Sequence, residues 1–132
     1  MTIELDHVII SARTRDASAT RLADLLGVAC GPAKEGPFFA VYVNDGLTLD
    51  FIETDEPFPI EHFCFRVSEA EFDAILGRIE AAGIDYRSVV HGPVDRKINT
   101  SYGGRMLYWN DPEGHQWEIL TVSYARQPGE EP

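Results

Sequence analysis

Positive charge is scarce in this 132-residue chain. Eleven Lys and Arg stand against 22 Asp and Glu, a formal net charge of −11. Nucleic-acid phosphates are held by clustered cations, so nucleic acid is not an expected partner. The same balance argues against an anionic membrane surface. No uncharged apolar stretch approaches the roughly 20 residues that a membrane helix needs. The opening, MTIELDHVIISARTR, lacks a basic leader followed by an apolar run, so no signal peptide is expected. Two cysteines, Cys30 and Cys64, make no disulfide framework. Each reads as a small buried hydrophobe. These absences point to a reduced, cytoplasmic protein. The length suits one domain, in which roughly two thirds of the unfolded surface can be buried.

Residues 3–11 alternate as a strand, with Val8 and Ile10 on one face and Leu5, His7 and Ile9 on the other. Ala19, Leu22, Ala23 and Leu26 fall at i, i+3, i+4 and i+7, which predicts a helix over 15–26 that Gly27 ends. Strands are expected over 37–44 and 47–53, joined by the turn Asn44-Asp45-Gly46. The pattern then restarts. IEHFCFRV, 60–67, reads as a strand, and Ser68-Glu69-Ala70-Glu71 as a capping box that opens a helix ended by Gly83. A short strand over 86–90, a polar segment over 91–104 and strands over 105–110 and 115–123 follow, the last pair joined by Asp111-Pro112-Glu113-Gly114. The expected organisation is one domain over 1–126, made of modules at about 1–56 and 57–126, with a disordered tail over 127–132.

The restart is an internal repeat. LDHVII at 5–10 matches IEHFCF at 60–65, and DGLTLDFI at 45–52 matches EGHQWEIL at 113–120. His7 and His62 therefore sit on the first strand of each half, and Asp50 and Glu118 on the last. The apolar neighbours Val8, Leu49, Phe51, Phe63, Trp117 and Ile119 are expected to pack beneath helices. The four polar residues then face the opposite, open side of the sheet. Taken singly, such a histidine is ordinarily a hydrogen-bonded core or surface group, and such a carboxylate ordinarily faces water. Four of them at repeat-equivalent positions suit a divalent metal such as Zn, Fe, Mn, Ni or Co.

The early His of LDHVII, the His of EHFCFRV and the Glu of DPEGHQWEIL make the chain resemble the vicinal-oxygen-chelate superfamily over residues 3–123. That superfamily includes glyoxalase I, the fosfomycin- and bleomycin-resistance proteins and the extradiol dioxygenases. The resemblance implies an α+β fold of two βαβββ modules forming one eight-stranded, cup-shaped sheet with helices on its outer face. It implies metal ligands at His7, His62 and Glu118. Asp50 stands where glyoxalase I has a fourth ligand, and is either that ligand or a general base. Tyr108 matches a tyrosine that meets substrate in the fosfomycin-resistance branch. The epoxide-activating threonine of that branch is replaced by Ile9 here, which counts against that activity. Met106 and Tyr108 are expected to face the cup and Cys64 to share the face of His62, while His91 and His115 read as non-ligands.

Arg96, Asn99, Tyr102 and Arg105, with Lys97, give the long 91–104 segment and its end donors that would bind and enclose an anionic substrate, and Gly92, Gly103 and Gly104 would serve as hinges. Two classes of function remain open. One is a metal-dependent enzyme, whether glyoxalase-like lyase or isomerase, thiol transferase or dioxygenase, acting on a small oxygen-rich molecule. The other is a ligand-sequestering protein of the bleomycin-resistance type. A homodimer is expected, because Phe38, Phe39 and Tyr42 crowd one short strand whose far face needs cover.

Overall fold

A computed structural model describes residues 2–126; the expected tail at 127–132 lies outside them. The chain divides into two compact units, with the boundary between Ile60 and Glu61.

In the first unit the strands β1 (His7–Ala12), β2 (Ala29–Pro32), β3 (Phe38–Asn44) and β4 (Leu47–Glu53) form one sheet in the order β1-β4-β3-β2. The β1–β4 pair is parallel and the other two are antiparallel. Helix α1 (Arg15–Leu26) connects β1 to β2. It buries Ser18, Ala19, Leu22, Ala23 and Leu25, small residues mixed with leucines, which allows a close approach to the strands. Gly27 ends it at φ +74°, a left-handed geometry that glycine adopts without steric cost. One face of the sheet carries the buried Ile10, Ala12, Val41, Leu49 and Phe51. The other carries His7, Tyr42, Thr48 and Asp50 around a cavity of about 360 Å³. The alternation expected from sequence is the observed one here. It also divides the aromatic residues of β3: Phe38 and Tyr42 share the face of Asp50, whereas Phe39 pairs across from Phe51 on the opposite face.

In the second unit β5 (His62–Arg66), β6 (Met106–Asn110) and β7 (Gln116–Leu120) form a sheet ordered β5-β7-β6. Its β5–β7 pair is parallel and its β6–β7 pair antiparallel. Helix α2 (Glu69–Ala81) opens with a complete capping box: Ser68 Oγ accepts from Glu71 N–H, and the Glu71 carboxylate accepts from Ser68 N–H. Phe72, Ile75 and Ile79 form its buried stripe. On β5 and β7, Phe63 and Phe65 both stack on Trp117. The β6–β7 turn is organised by one side chain. Asp111 accepts from the N–H groups of Glu113 and His115 through Oδ1 and from Trp117 Nε1 through Oδ2. Gly114, at φ +95°, closes the turn.

The repeat is visible in the strand register. His7 stands across from Thr48 and Ile9 across from Asp50, just as His62 stands across from Gln116 and Cys64 across from Glu118. The halves differ at their margins. Among the described residues there are seven strands in two sheets, four and three, where one eight-stranded sheet was expected. The missing strand is the one predicted over 86–90. There Arg87 exchanges both backbone hydrogen bonds with Tyr108, but the flanking groups are diverted: Ser88 N–H goes to the Asp95 carboxylate, and the Tyr86 carbonyl accepts from Arg96 N–H. The ladder stops after one bridge. Conversely, β2 has no clear sequence signal, because ACGP contains a glycine and a proline; Pro32 is tolerated at the end of an edge strand.

The capping box yields a pH-dependent expectation. The Ser68 N–H donated to Glu71 holds that carboxyl below its usual range. A depressed folded-state value stabilises above the unfolded value of about 4.3, and the contribution is lost as pH falls through the folded value. Ser68→Ala is expected to lower unfolding free energy by about 1 kcal/mol at pH 7. In urea titrations, the gap between wild type and Glu71→Gln should narrow below about pH 4.

Candidate functional site

The second unit places a carboxylate at the centre of its sheet. Glu118 lies on the middle strand, directly across from Cys64 on β5 and from Tyr108 on β6. Strand alternation puts it on the face opposite Trp117 and Ile119, together with Met106, Tyr108 and Leu120, which pack into one cluster. Tyr124, from the segment after β7, packs against that cluster. Glu118 is fully buried.

Its two oxygens differ. Oε1 lies 3.0 Å from His62 Nε2 and accepts from the Tyr124 hydroxyl at 3.1 Å. Oε2 is buried and has no hydrogen-bond partner among the described residues. Burying a carboxylate costs several kcal/mol unless both oxygens are satisfied, so a cation at Oε2 would remove a real penalty. The neighbouring imidazole supplies a second donor of the right kind. His62 is about 40 % exposed, and its Nδ1 lies 3.3 Å from Gln116 Oε1, a contact that orients the ring. Nitrogen and carboxylate oxygen side by side suit borderline divalent metals, so these residues fit the ion that the sequence pattern calls for.

The groups around Glu118 are tuned by it. Burial first, and the adjacent carboxylate after it, push the Cys64 thiol well above its ordinary range. Burial, a hydrogen bond to Tyr124 and the Glu118 charge push Tyr108 up in the same direction. Tyr124 is also raised, again chiefly by burial. All three stay protonated near neutrality and serve as donors. The His62 ring meets Tyr108 edge-on, with centroids 6.1 Å apart.

The first unit holds the repeat-equivalent pair. His7 is exposed, and its Nδ1 lies 2.8 Å from Asp6 Oδ2. That contact, with the fields of Asp6 and Asp50, raises the imidazole above its ordinary value. A proton held on Nδ1 by Asp6 leaves Nε2 as the lone-pair nitrogen of the neutral ring. Asp50 lines the same cavity as His7. Each unit thus has one histidine and one acid on the face away from its apolar layer. Among the described residues no group of three or more His, Cys, Asp or Glu side chains is placed to hold a metal.

The cationic segment differs from expectation in its details. Arg96 donates to Asp85. Arg105 is committed to helix α2, pairing with Glu69 and Asp73 over the ring of Phe72. Asn99 exchanges backbone bonds with Met106, and its side chain bridges the Ser88 carbonyl and the Ser101 N–H. Lys97 N–H is taken by Asp95. A Cβ on Gly104 would come within 2.5 Å of Thr121 Oγ1, so this glycine serves close packing. These bonds tie the segment down at both ends. Tyr102 remains half exposed, its ring 5.3 Å from that of Tyr124. His115 is fully buried and accepts from Glu61 N–H through Nδ1; His91 is exposed. Sequence reasoning missed Tyr124, which lies six residues beyond Glu118 and outside every predicted element.

Several known proteins are similar to this chain. The solved structure of oxidase ChaP-H2 is 41 % identical, with a TM-score of 0.87, over 94 % of this chain and 97 % of that one. Oxidase ChaP-H1 is 45 % identical, with a TM-score of 0.85, over 93 % of this chain and 98 % of that one. A metallothiol transferase FosB from Shouchella clausii (strain KSM-K16) is 32 % identical over 66 residues, which make up 50 % of this chain. The match spans only 41 % of that relative's length. No protein-family model matches the sequence. Among the described residues no helix is long and apolar enough to cross a membrane.

Tyr124→Phe removes the Tyr124 hydrogen bond to Glu118 without adding side-chain bulk. It is expected to destabilise the protein by about 1–3 kcal/mol, the cost of weakening the satisfaction of a buried charge. Urea denaturation checks this; an unchanged midpoint would show that the contact carries no stability.

Proposed function

We propose that this chain, which belongs to the vicinal-oxygen-chelate superfamily, is a metal-dependent enzyme acting on a small, oxygen-rich, anionic substrate. His62 and Glu118 would hold the divalent ion; the resemblance gives His7 as a further ligand and Asp50 as a fourth ligand or a general base. When bound, such an ion supplies Lewis acidity toward substrate oxygens and, as Fe(II), oxygen chemistry at a two-histidine, one-carboxylate site. The observation that carries this reading is the buried Glu118 carboxylate with one oxygen unpartnered beside an imidazole.

The chain's own residues have defined tasks in this scheme. Gln116 and Asp6 orient the two imidazoles. Asp6 keeps the His7 proton on Nδ1, so that Nε2 offers its lone pair. Tyr108 and Tyr124, held protonated, shield Glu118 from water and donate hydrogen bonds on its face of the sheet. Tyr102, exposed beside Tyr124, is the member of the predicted substrate-binding set with a free approach to a ligand; Arg96, Asn99 and Arg105 support the segment around it.

Among the possible reactions, oxidation is favoured by the full-length likeness to two proteins named oxidases. Thiol transfer is the second reading, supported by the partial likeness to FosB. It is weakened by Ile9, an exposed apolar residue where the fosfomycin-resistance branch has a threonine. A chain purified without chelator is expected to carry about one divalent ion, and His7→Ala, His62→Ala and Glu118→Gln are each expected to lose most of it, because two remaining ligands fill too little of the coordination shell. Elemental analysis decides. Variants that hold metal as wild type does would remove the ligand assignment, and a wild type that takes up none would favour the sequestering protein.

A further inference from the structure

We propose that the second unit carries an oxyanion-recognition site next to Glu118, in which Arg66 and Arg126 grip a carboxylate or phosphate group. Alternation along β5 puts His62, Cys64 and Arg66 on one face of the sheet. The segment after β7 then brings Ser123, Tyr124 and Arg126 to the same place. Together with Cys64 and Leu120 these residues line a cavity of about 190 Å³. One of its walls, Tyr124, is the residue whose hydroxyl reaches Glu118 Oε1.

The charges decide what the cavity takes. The chain has twice as many acids as cations, and most of its arginines are visibly occupied. Arg13 donates to the Thr54 and Glu56 carbonyls, Arg15 to Asp16, Arg87 to the Val90 carbonyl, Arg96 to Asp85, and Arg105 to Glu69 and Asp73. Arg66 and Arg126 have no carboxylate partner among the described residues, although carboxylates are abundant. Two guanidinium groups without a carboxylate partner among the described residues, lining one concavity together with Ser123, match the planar or tetrahedral oxygens of a carboxylate or phosphate. Ligand pockets for whole small molecules run to roughly 300–1,000 Å³, so this cavity suits the anionic end of a substrate whose body extends beyond it. The sequence alone assigned anion binding to the 91–104 segment and Arg105 at its end; acids claim Arg96 and Arg105 there, whereas Arg66 and Arg126 have no such partner among the described residues. That the anion belongs to the enzyme's substrate rests on the metal-dependent reading above, but the binding of the anion itself does not.

The test uses inorganic phosphate as the probe and the alkylation of Cys64 by iodoacetamide at alkaline pH as the readout, since Cys64 lines the same cavity and its raised thiol reacts only as the thiolate. Alkylation is followed by mass spectrometry, on protein as purified and again after metal removal. Phosphate is expected to slow Cys64 alkylation at least tenfold at saturation in both preparations, and chloride at equal ionic strength is not. The phosphate concentration needed should rise about 10-fold in Arg66→Gln and in Arg126→Gln, the loss of one charge-assisted contact each. Arg66→Lys, which keeps the charge, should fall between. Both Gln variants should keep the wild-type metal content, and His62→Ala should lose metal yet keep the phosphate effect. No protection in wild type, or protection that survives the double Gln variant, would overturn the site. Failure of the metal assignment alone would show in elemental analysis and leave the phosphate effect intact.

Discussion

A carboxylate buried at the centre of a three-stranded sheet, with one oxygen satisfied and one not, is the constraint around which the second unit is arranged. Water would solve the problem at the surface, but Glu118 is fully enclosed. Its neighbours are therefore almost all potential donors: His62 two residues along on the adjacent strand, Tyr108 across, and Tyr124 folded onto it. Among the described residues these partners satisfy Oε1 only. A protein that tolerates such a group without function would gain stability by replacing it with an apolar residue. The arrangement makes physical sense as a site kept ready for a cation.

The repeated strand register explains why the same chemistry occurs twice. In each unit the first and last strands pair in parallel, with histidine and acid separated by one two-residue step on one face. The face opposite is apolar in both. A one-residue slip would turn every polar group into the apolar layer, so the hydrophobic pattern that folds each unit also aims its polar pair. The units are not equal in burial. His7 and Asp50 border an open cavity, whereas Glu118 is sealed by aromatic residues. The sealed half has the stronger electrostatic demand, and the open half the greater access.

Much of this was legible in the residues. Period-two and period-3.6 patterns located both helices and six of the seven strands, because each of those elements has a continuous apolar stripe. The capping box at Ser68 and the turn at Asp111 worked as written, since both depend on side chains reaching backbone groups a few residues away. The repeat identified His7, Asp50, His62 and Glu118 as equivalent positions. What escaped notice depends on contacts distant in sequence. Strand β2 exists because Ala29–Pro32 pairs with β3, not because ACGP prefers to be extended. The strand expected at 86–90 shrinks to one bridge because Asp95 and Arg96 capture its flanking backbone groups. Arg96 and Arg105 looked free as cations in a polar segment, yet acids on neighbouring elements claim them. Tyr124 has no periodic signal, and only the path of the chain after β7 brings it to Glu118.

The cost of holding Glu118 ready for a cation is measured by equilibrium unfolding of Glu118→Gln with and without added divalent metal. Without metal, the neutral amide removes a buried and half-satisfied charge, so the variant is predicted to be at least as stable as wild type. With metal, wild type is predicted to gain stability in proportion to the logarithm of ion concentration over its dissociation constant, and the variant to gain little. A variant that is clearly less stable without metal, together with a wild type that does not respond to metal, would show that Glu118 is an ordinary structural acid and not a cation ligand.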